Sequence, residues 1–390
     1  MHSASFRELS QKLDFAFGES SVEKQPRYFS APGRINIIGE HVDYAGGIVL
    51  PAAINLKINL AIRRNESSTF RFYSIDMNET LQTDRIEYSS EYPWANYILG
   101  IISEAKRIGK NVSGFDAAFS GNIPQGAGLS SSAALEVVVA FALSEIFQWN
   151  FTKTELALLG QAAENRFVGV QCGIMDQFVI SVARENTCIS LDTDTLEFTY
   201  QPLDLNGHEF YLIDSKVKHS LKDSAYNQRR SSVESATLKL QKSHPNLKSL
   251  YDSDPNWLTN SELSAEEAKR AKHVQGERRR TELVIQNLKS GDLESLGKLL
   301  FDCHRSLSEE FEVSCPQTDS LVDLLKSQKV TGARMIGGGF GGCILVLDKI
   351  GRSETVWQNI QKSYFQIFGI QPALYRISIS GGAREEVSID

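Results

Sequence analysis

The sequence predicts an α+β fold made of two domains. Strand-like segments are mixed with segments of helical spacing, without the regular strand–helix alternation that builds a doubly wound parallel sheet. The chain has 390 residues, and at roughly 150 residues per domain this length predicts two or three domains. A turn-rich stretch around Asn206 and Gly207 separates a mixed first half from a more helical, highly charged second half. The predicted domains are therefore 1–205 and 206–390.

Individual elements follow from the spacing of apolar residues, which has a period near two in strands and near 3.6 in helices. The predicted strands are 48–64, 70–76, 115–124, 187–193, 209–215 and 373–380. The predicted helices are an amphipathic segment from Phe6 to Phe17, then 94–109, 131–147, 152–169, a block at 265–307, and 353–367. The helix at 131–147 is strongly apolar, which predicts that it lies inside the protein.

Composition excludes several classes of protein. The formal net charge of −7 does not favour nucleic acid or an anionic membrane as a partner, because both attract basic proteins. The five cysteines are scattered and never spaced as Cys-x-x-Cys, which predicts neither a disulfide framework nor a zinc site. No stretch approaches the roughly 18 apolar residues of a membrane span, and the start contains no signal-peptide block. We therefore expect a cytoplasmic protein.

A glycine- and serine-rich stretch, IPQGAGLSSSAALEV (123–137), leads into the apolar helix. Gly126 and Gly128 let an anion approach the backbone, and residues 130–132 stand where the helix begins. Because the first N–H groups of a helix lack internal partners and its dipole is positive there, the stretch predicts a phosphate site without a lysine. The alternative is a plain loop with a serine N-cap. The stretch is not a Walker A loop, and it lacks the third glycine of a dinucleotide-binding fingerprint.

A second cluster of polar residues lies in APGRINIIGEHVDYAGG (31–47). Alternation after Arg34 suggests a strand, and a glycine then frees Glu40, His41 and Asp43 as a polar loop. Two carboxylates and an imidazole suit a polyol, whose vicinal hydroxyls both donate and accept hydrogen bonds. Arg34 offers a permanent cation for a transferring phosphoryl group. Taken singly, a residue such as His41 is more often a structural hydrogen-bonding group than a catalytic base, and one such as Asp43 is more often a turn residue.

A third cluster surrounds Asp176 in VQCGIMDQFVI (170–180). Its apolar neighbours make a carboxylate costly unless it is paired or used, which suggests a base beside a hydroxyl nucleophile. A buried Asp that caps a helix is the alternative. Glu164 ends an otherwise apolar helical face and is either a metal ligand or a solvated helix-end glutamate.

Together these motifs resemble the GHMP sugar and metabolite kinases, and within them the galactokinase family. APGRINIIGEHVDY resembles the family's sugar signature, GAGLSSSAALE its ATP loop, CGIMDQF its catalytic segment and GGGFGG (337–342) its third motif. The resemblance extends over nearly the whole chain and is weakest in the first 20 residues and at about 235–265. It implies an N-terminal domain like the second domain of ribosomal protein S5 and a ferredoxin-like C-terminal domain, with the site between them.

The resemblance implies phosphorylation of the C1 hydroxyl of D-galactose by Mg·ATP, the first committed step of galactose utilisation by the Leloir pathway. Asp176 would be the catalytic base, and Arg34 would stabilise the charge of the transferring group. The matching sugar-binding positions are Arg34, Glu40, His41, Asp43, Gly173, Asp176 and Tyr226. The matching nucleotide-binding positions are Ser74, the segment 94–97, Gly126, Ala127, Gly128, Leu129, Ser130, Ser131 and Ser132. Ser132 and Glu164 would hold Mg²⁺.

The sequence departs from the family's pattern at three positions. Val42 and Ala45 replace a threonine and an asparagine of many relatives, and Lys218 replaces an arginine of some of them. Ala45 removes an amide beside the sugar loop, so a kinase for a related aldose such as N-acetylgalactosamine stays an alternative. A non-catalytic sensor of galactose and ATP is a second alternative, although Asp176 and residues 130–134 are intact. The incomplete glycine fingerprint argues against an oxidoreductase.

Overall fold

The computed structural model describes residues 3–19, 25–65, 67–217, 222–260 and 262–387. The helices of this part of the chain, α1 to α10, are Phe6–Phe17, Ala95–Arg107, Ser131–Ile146, Lys153–Ala163, Met175–Val182, Lys222–Ser243, Ala265–Ser290, Leu293–Glu309, Pro316–Ser327 and Ser353–Phe368. The strands, β1 to β13, are Arg27–Asn36, Ile48–Val49, Pro51–Arg64, Phe70–Ser74, Glu79–Thr83, Phe115–Gly121, Thr187–Asp192, Phe198–Pro202, His208–Asp214, Gly332–Met335, Cys343–Lys349, Ala373–Arg376 and Arg384–Glu386.

The largest sheet has the strand order β13-β1-β3-β6-β4-β5 and is antiparallel except between β4 and β6. Side chains alternate between its two faces. Tyr28, Ala61, Ala118 and Tyr73 are aligned across four strands and face α1, with which they form a small apolar cluster. The opposite face of the sheet belongs to the main core.

The main core is built around α3, which packs on β1 and β3. This helix is apolar on nearly all sides because α2, α4 and α5 also pack against it. The burial predicted for residues 131–147 is confirmed. Within the described residues, no helix is both long enough and apolar enough to cross a membrane.

Two smaller sheets complete the fold. One has the antiparallel order β10-β11-β9-β12, with α8 and α9 packed against β10, and the other has the order β2-β7-β8. The end of the described chain returns to the largest sheet, where β13 pairs with β1 and Ile379 bridges Ile54. The mixed α+β architecture is thus confirmed by the helices and sheets. The boundary after residue 205 stays a prediction.

Two predicted helices are interrupted. The helix predicted at 152–169 begins at Thr152, whose hydroxyl and backbone form a capping box with Glu155. However, α4 ends at Ala163, and one π-helical turn, Glu164–Val168, follows it. The block predicted at 265–307 is two helices, because Gly291 adopts a left-handed backbone with φ 71° and ends α7.

Helix α8 and strand β10 approach so closely that only glycine fits at their contact. A Cβ at Gly297 would overlap the carbonyl oxygen of Thr331, and a Cβ at Gly332 would overlap the backbone of Gly297. This contact fixes β10 against the helix layer of the second half. The same strand carries Arg334, which reaches the candidate site.

We predict that Gly297→Ala lowers the free energy of unfolding by about 1–3 kcal/mol, the usual cost of overpacking a filled interior. Urea unfolding followed by circular dichroism measures the change. Gly381→Ala is the matched control, because a Cβ there would meet no atom closer than 3.6 Å. Equal stabilities of the two variants would contradict the packing described for α8 and β10.

Candidate active site

An ion pair between Arg34 and Asp176 forms the centre of the candidate site. Arg34 lies on β1 just after the register against β3 shifts, and Asp176 lies in the first turn of α5. Nε donates to Oδ1 over 2.7 Å and Nη2 donates to Oδ2 over 2.8 Å. This bidentate geometry fixes both side chains. Arg34 is 5% exposed and Asp176 29% exposed, so the carboxylate is the member of the pair that faces open space.

Ser130 also bonds the carboxylate of Asp176. It lies immediately before α3 in a left-handed backbone conformation, with φ 62° and ψ 46°. Its hydroxyl donates to Oδ2 of Asp176 and makes no capping bond to α3. The alternative of a simple serine N-cap is therefore wrong at Ser130, because Asp176 takes the hydroxyl that a cap would use.

The loop before α3 is held by backbone contacts with Arg34 and with the glycine-rich turn 337–342. Arg34 donates from its backbone N–H to the carbonyl of Leu129 over 3.3 Å and from Nη1 to that of Gly128 over 2.5 Å. A Cβ at Gly337 would lie 2.9 Å from the Cα of Gly128. The N–H of Cys343 donates to the carbonyl of Ala127 over 3.2 Å. Sequence analysis assigned no role to the single glycines of the turn, and this close approach supplies one for Gly337.

A cavity of about 170 Å³ opens beside the ion pair and is called the smaller cavity below. All seven predicted sugar-binding residues line it: Arg34, Glu40, His41, Asp43, Gly173, Asp176 and Tyr226. The structure therefore brings together residues that are up to 192 positions apart in sequence. Cys172, Asn227 and Gly337 are among the further lining residues that sequence analysis did not predict as binding residues.

His41 is a neutral side chain in this cavity. Burial, followed by the positive charges of His273 and Arg334, lowers the pKa of His41 to about 3. Its Nδ1 lies 2.9 Å from the hydroxyl of Tyr44, and its Nε2 has no hydrogen-bond partner among the described residues. A buried polar atom without a partner is costly, so Nε2 is suited to a polar ligand.

Asp43 is partly buried beside two other carboxylates. Burial, and then the negative charges of Asp176 and Glu40, raise the pKa of Asp43 to about 7. Gly173 packs directly on it, and a Cβ at position 173 would overlap the carboxylate of Asp43. The glycine in the CGIMD segment is therefore required by the close approach of this carboxylate.

Glu40 is fixed by groups from the second half of the chain. Its Oε2 pairs with Nη2 of Arg334 over 2.7 Å, and its Oε1 accepts from the N–H of Gly337 over 3.0 Å. Arg334 is fully buried and also donates from Nε to the carbonyl of Ile37 over 2.9 Å. Sequence analysis missed Arg334, although an arginine in the short buried strand GARM is the signal that could have found it.

A larger cavity of about 880 Å³ is lined in part by the loop before α3 and by the start of that helix. The residues predicted to contact the nucleotide that line it are Ser74, Trp94, Tyr97, Gly126, Ser131 and Ser132. Ala127, Gly128, Leu129 and Ser130 instead make the protein contacts described above. Lys216 and Asp214, from the end of β9, also line the cavity and pair over 2.8 Å. Lys218 lies outside the described residues.

Glu164 belongs to a buried acidic cluster. Burial and the charge of Asp176 raise the pKa of Glu164 to about 7, and the hydroxyl of Ser132 hydrogen-bonds to it. Gln177 donates from Nε2 to Glu164 over 2.7 Å and to Glu136 over 2.9 Å. Burial, and then the charge of Glu164, raise the pKa of Glu136 well above its usual range. Sequence analysis missed Glu136, a single carboxylate inside the apolar helix α3.

Family comparisons cover both halves of the chain. The galactokinase galactose-binding signature matches residues 16–64, the N-terminal domain of GHMP kinases matches 96–184, and their C-terminal domain matches 284–366. A galactokinase of Thermotoga petrophila is 45% identical over 356 residues, which are 91% of this chain and 99% of that protein. A galactokinase of Clostridium beijerinckii is 38% identical over 371 residues, 92% of this chain and 94% of that protein.

Solved structures agree with the sequence matches. The crystal structure of Lactococcus lactis galactokinase complexed with galactose superposes with a TM-score of 0.91 at 32% identity, over 97% of this chain and 98% of that one. A crystal structure of mevalonate kinase superposes with a TM-score of 0.66 at 17% identity, over 91% and 99% of the two chains, and shows the shared fold alone. The chain therefore belongs to the galactokinase family of the GHMP kinases.

Proposed function

We propose that this protein transfers the terminal phosphoryl group of ATP to the C1 hydroxyl of D-galactose and forms galactose 1-phosphate. Membership of the galactokinase family makes it an ATP-dependent sugar kinase. The observation that carries the proposal is the link that Asp176 and Ser130 make between the two cavities. Asp176 lines the smaller cavity, and Ser130, which bonds it, is followed directly by Ser131 at the wall of the larger cavity.

In this proposal Asp176 accepts the proton of the C1 hydroxyl while the phosphoryl group is transferred. Arg34 holds the carboxylate by two hydrogen bonds, so the base cannot rotate away from the sugar. The permanent charge of Arg34 also stabilises negative charge on the transferring group. Ser130 occupies one further lone pair of Asp176 and leaves others for the substrate.

Sugar hydroxyls would be recognised by polar groups of the smaller cavity that are already positioned. The unpartnered Nε2 of His41 and the carboxylate of Asp43 are two of these groups. Glu40 is held on both oxygens by Arg334 and Gly337, so we propose that it is a rigid acceptor for a sugar hydroxyl. Tyr226 supplies a ring 5.6 Å from that of His41 and closes one side of the cavity.

The phosphates of ATP would meet the start of α3 and the hydroxyls of Ser131 and Ser132, with the adenosine between Ser74, Trp94 and Tyr97. We assign Mg²⁺ to Ser132 and Glu164. The donors fit, because a hydroxyl and a carboxylate are oxygen ligands of the kind that Mg²⁺ prefers. Burial, and then the charge of Asp176, raise the pKa of Glu164, and a divalent cation would stabilise its ionised form. When bound, Mg²⁺ would neutralise charge on the phosphates.

Few protein ligands are expected for such an ion, since Mg²⁺ in kinases is held mainly by phosphates and water. The part of the chain that the structure describes holds no group of three or more His, Cys, Asp or Glu side chains placed for a metal.

The departures at Val42 and Ala45 give no reason to prefer a bulkier aldose to galactose as the substrate. Both side chains are buried, and neither is among the residues that line the smaller cavity. Val42 packs against Gly47, where a Cβ would lie 2.7 Å from its side chain. Neither replacement therefore changes a side chain that faces the smaller cavity.

We also propose that the N-terminal domain comprises residues 1–205 and that the last strand, β13, rejoins its sheet from the C-terminal domain. The cytoplasmic location and the absence of nucleic-acid and membrane partners stay predictions from composition.

The proposed reaction is tested with a panel of aldoses, including galactose, glucose, galactosamine and N-acetylgalactosamine, in the presence of Mg·ATP. ADP release reports turnover, and NMR identifies the phosphorylated carbon. We expect galactose 1-phosphate as the main product and loss of activity when EDTA removes Mg²⁺. Phosphate at C6, or no turnover with galactose, would overturn the proposal. Turnover that persists in EDTA would overturn the assignment of Mg²⁺.

Replacement of the base tests the role of Asp176. We predict that Asp176→Asn leaves galactose binding largely intact and lowers kcat by at least about a hundredfold, the low end for a lost general base. Calorimetry measures binding and ADP release measures kcat. Asp302→Asn, at a half-exposed carboxylate on α8, is the control and should behave as the wild type. A near-normal kcat in Asp176→Asn would exclude Asp176 as the base.

The raised pKa of Asp43 predicts a pH dependence of sugar binding. With a pKa of about 7, Asp43 is mostly protonated below that pH and ionised above it. The ionised carboxylate is the stronger acceptor for sugar hydroxyls, so the Kd for galactose without nucleotide should fall from about pH 6 to about pH 8. Calorimetry across this pH range measures the Kd, and Asp43→Asn should remove its dependence on pH. A Kd of the wild type that does not change with pH would contradict this role of Asp43.

A further inference from the structure

The turn that carries Glu40 and His41 has an unusual backbone conformation. Gly39 has φ 86° and His41 has φ 60°, so two of three consecutive residues lie in the left-handed region. For a residue with a Cβ this conformation is strained, and it persists only where the surroundings fix it. The groups that fix it therefore control where Glu40 and His41 point.

Glu277 supplies the contact that fixes this turn. It lies on α7, 238 residues after Gly39 in sequence, and its side chain is fully buried. Its Oε2 accepts from the N–H of Gly39 over 2.8 Å and from the N–H of Glu40 over 2.9 Å. Its Oε1 pairs with Nε of Arg280. One carboxylate thus satisfies two consecutive backbone donors of the sugar loop.

Neighbouring groups of the second half complete this contact. Nε2 of His273, also on α7, donates to the carbonyl of Glu40 over 3.0 Å. The ring of Phe311 lies between the rings of His41 and His273, at 4.8 Å and 4.6 Å. The turn is therefore bonded on its N–H groups and its carbonyl, and packed on its side chain, by residues that follow position 270.

The charge of Glu277 is compensated where it lies. Burial alone would raise its pKa, but Arg280, followed by His273 and Arg334, lowers the pKa of Glu277 to about 2. A buried, ionised carboxylate is a strong and rigid acceptor for backbone N–H groups.

We infer that Glu277 is a positioning residue of the sugar site, whose two hydrogen bonds hold the Gly39–His41 turn so that Glu40 and His41 face the smaller cavity. Glu277 is not among the residues that line the cavity, so it acts through the turn and not by touching the ligand. The inference rests on the proposed function, which identifies galactose as the ligand concerned. It predicts that α7 controls affinity for the sugar and not for the nucleotide.

Glu277→Gln is the informative substitution because an amide cannot replace both carboxylate oxygens. If the amide oxygen faces the N–H groups of Gly39 and Glu40, the amide N–H₂ faces Arg280, which is also a donor. If the amide is reversed, donors meet donors at the turn. In either orientation one contact is lost, while the shape of the side chain is kept.

Calorimetric titrations with galactose and, separately, with Mg·ATP test the inference on the full-length protein. We expect Glu277→Gln to raise the Kd for galactose by about tenfold to about a hundredfold, the weakening that corresponds to the loss of one or two well-placed hydrogen bonds to the sugar. The Kd for Mg·ATP should stay within about twofold of the wild-type value, which also shows that the variant is folded. Glu282→Gln, at an exposed carboxylate of the same helix, is the control and should match the wild type in both titrations.

An unchanged Kd for galactose in Glu277→Gln, or equal weakening for galactose and Mg·ATP, would overturn the inference. Failure of the proposed function is distinguishable, because it would show as wild-type protein that does not phosphorylate galactose in the same preparation. The steady-state kinetics should show the same division, with a raised KM for galactose and an unchanged KM for ATP.

The double variant Glu277→Gln/Arg280→Gln provides a rescue and covers the case in which the single variant does not fold. Removal of Arg280 lets the amide oxygen of residue 277 face the turn while its N–H₂ group meets a neutral acceptor. We expect the double variant to bind galactose more tightly than Glu277→Gln, or within about tenfold of the wild type if the single variant is unfolded. If the double variant binds galactose no more tightly than Glu277→Gln, the hydrogen bonds to the turn do not position the sugar site. The same conclusion follows if the single variant is unfolded and the double variant binds more than about tenfold more weakly than the wild type.

Discussion

Arg34 and Asp176 form the ion pair on which the geometry of the candidate site depends. The pair joins β1 to α5, and Arg34 also bonds the carbonyls of the loop before α3. Ser130 completes the junction from the same loop. These segments come from three separate parts of the sequence, so the contacts of Arg34 and Asp176 fix the proposed base, the proposed phosphate-binding loop and the cation relative to one another. Preorganisation of this kind is what phosphoryl transfer requires, since it depends on positioning and charge more than on covalent help.

A second constraint is the close approach of backbone to backbone between the two halves of the chain. Gly337 lies against Gly128, and its N–H also bonds Glu40. Side chains at these positions would push the loop away from the turn. Buried charges complete the junction, because Arg334 and Glu277 are both fully buried and each contacts the Glu40 turn. The cost of burying these charges is offset by pairing and by complete hydrogen bonding.

Sequence analysis predicted the parts of the site that depend on local chemistry. The seven predicted sugar-binding residues line one cavity. Local chemistry singled out Arg34, the polar loop 40–43 and Asp176, whereas Gly173 and Tyr226 were expected only from the family resemblance. The contacts of Arg334 and Glu277 could not be predicted, because their partners lie more than 200 residues away and local spacing carries no sign of such pairing. Only the place of Arg334 in the buried strand GARM marks it as a candidate. The N-cap alternative failed at Ser130 because a long-range partner, Asp176, took its hydroxyl.

The central claim is that Asp176 faces the C1 hydroxyl of galactose while the phosphates of ATP lie at the start of α3. A crystal structure of the complex with galactose and a non-hydrolysable ATP analogue tests it most directly. The account predicts that the C1 oxygen lies about 2.6–3.2 Å from a carboxylate oxygen of Asp176, with the terminal phosphorus in line on its other side. A different sugar hydroxyl at Asp176, or phosphates bound away from Ser131 and Ser132, would contradict it.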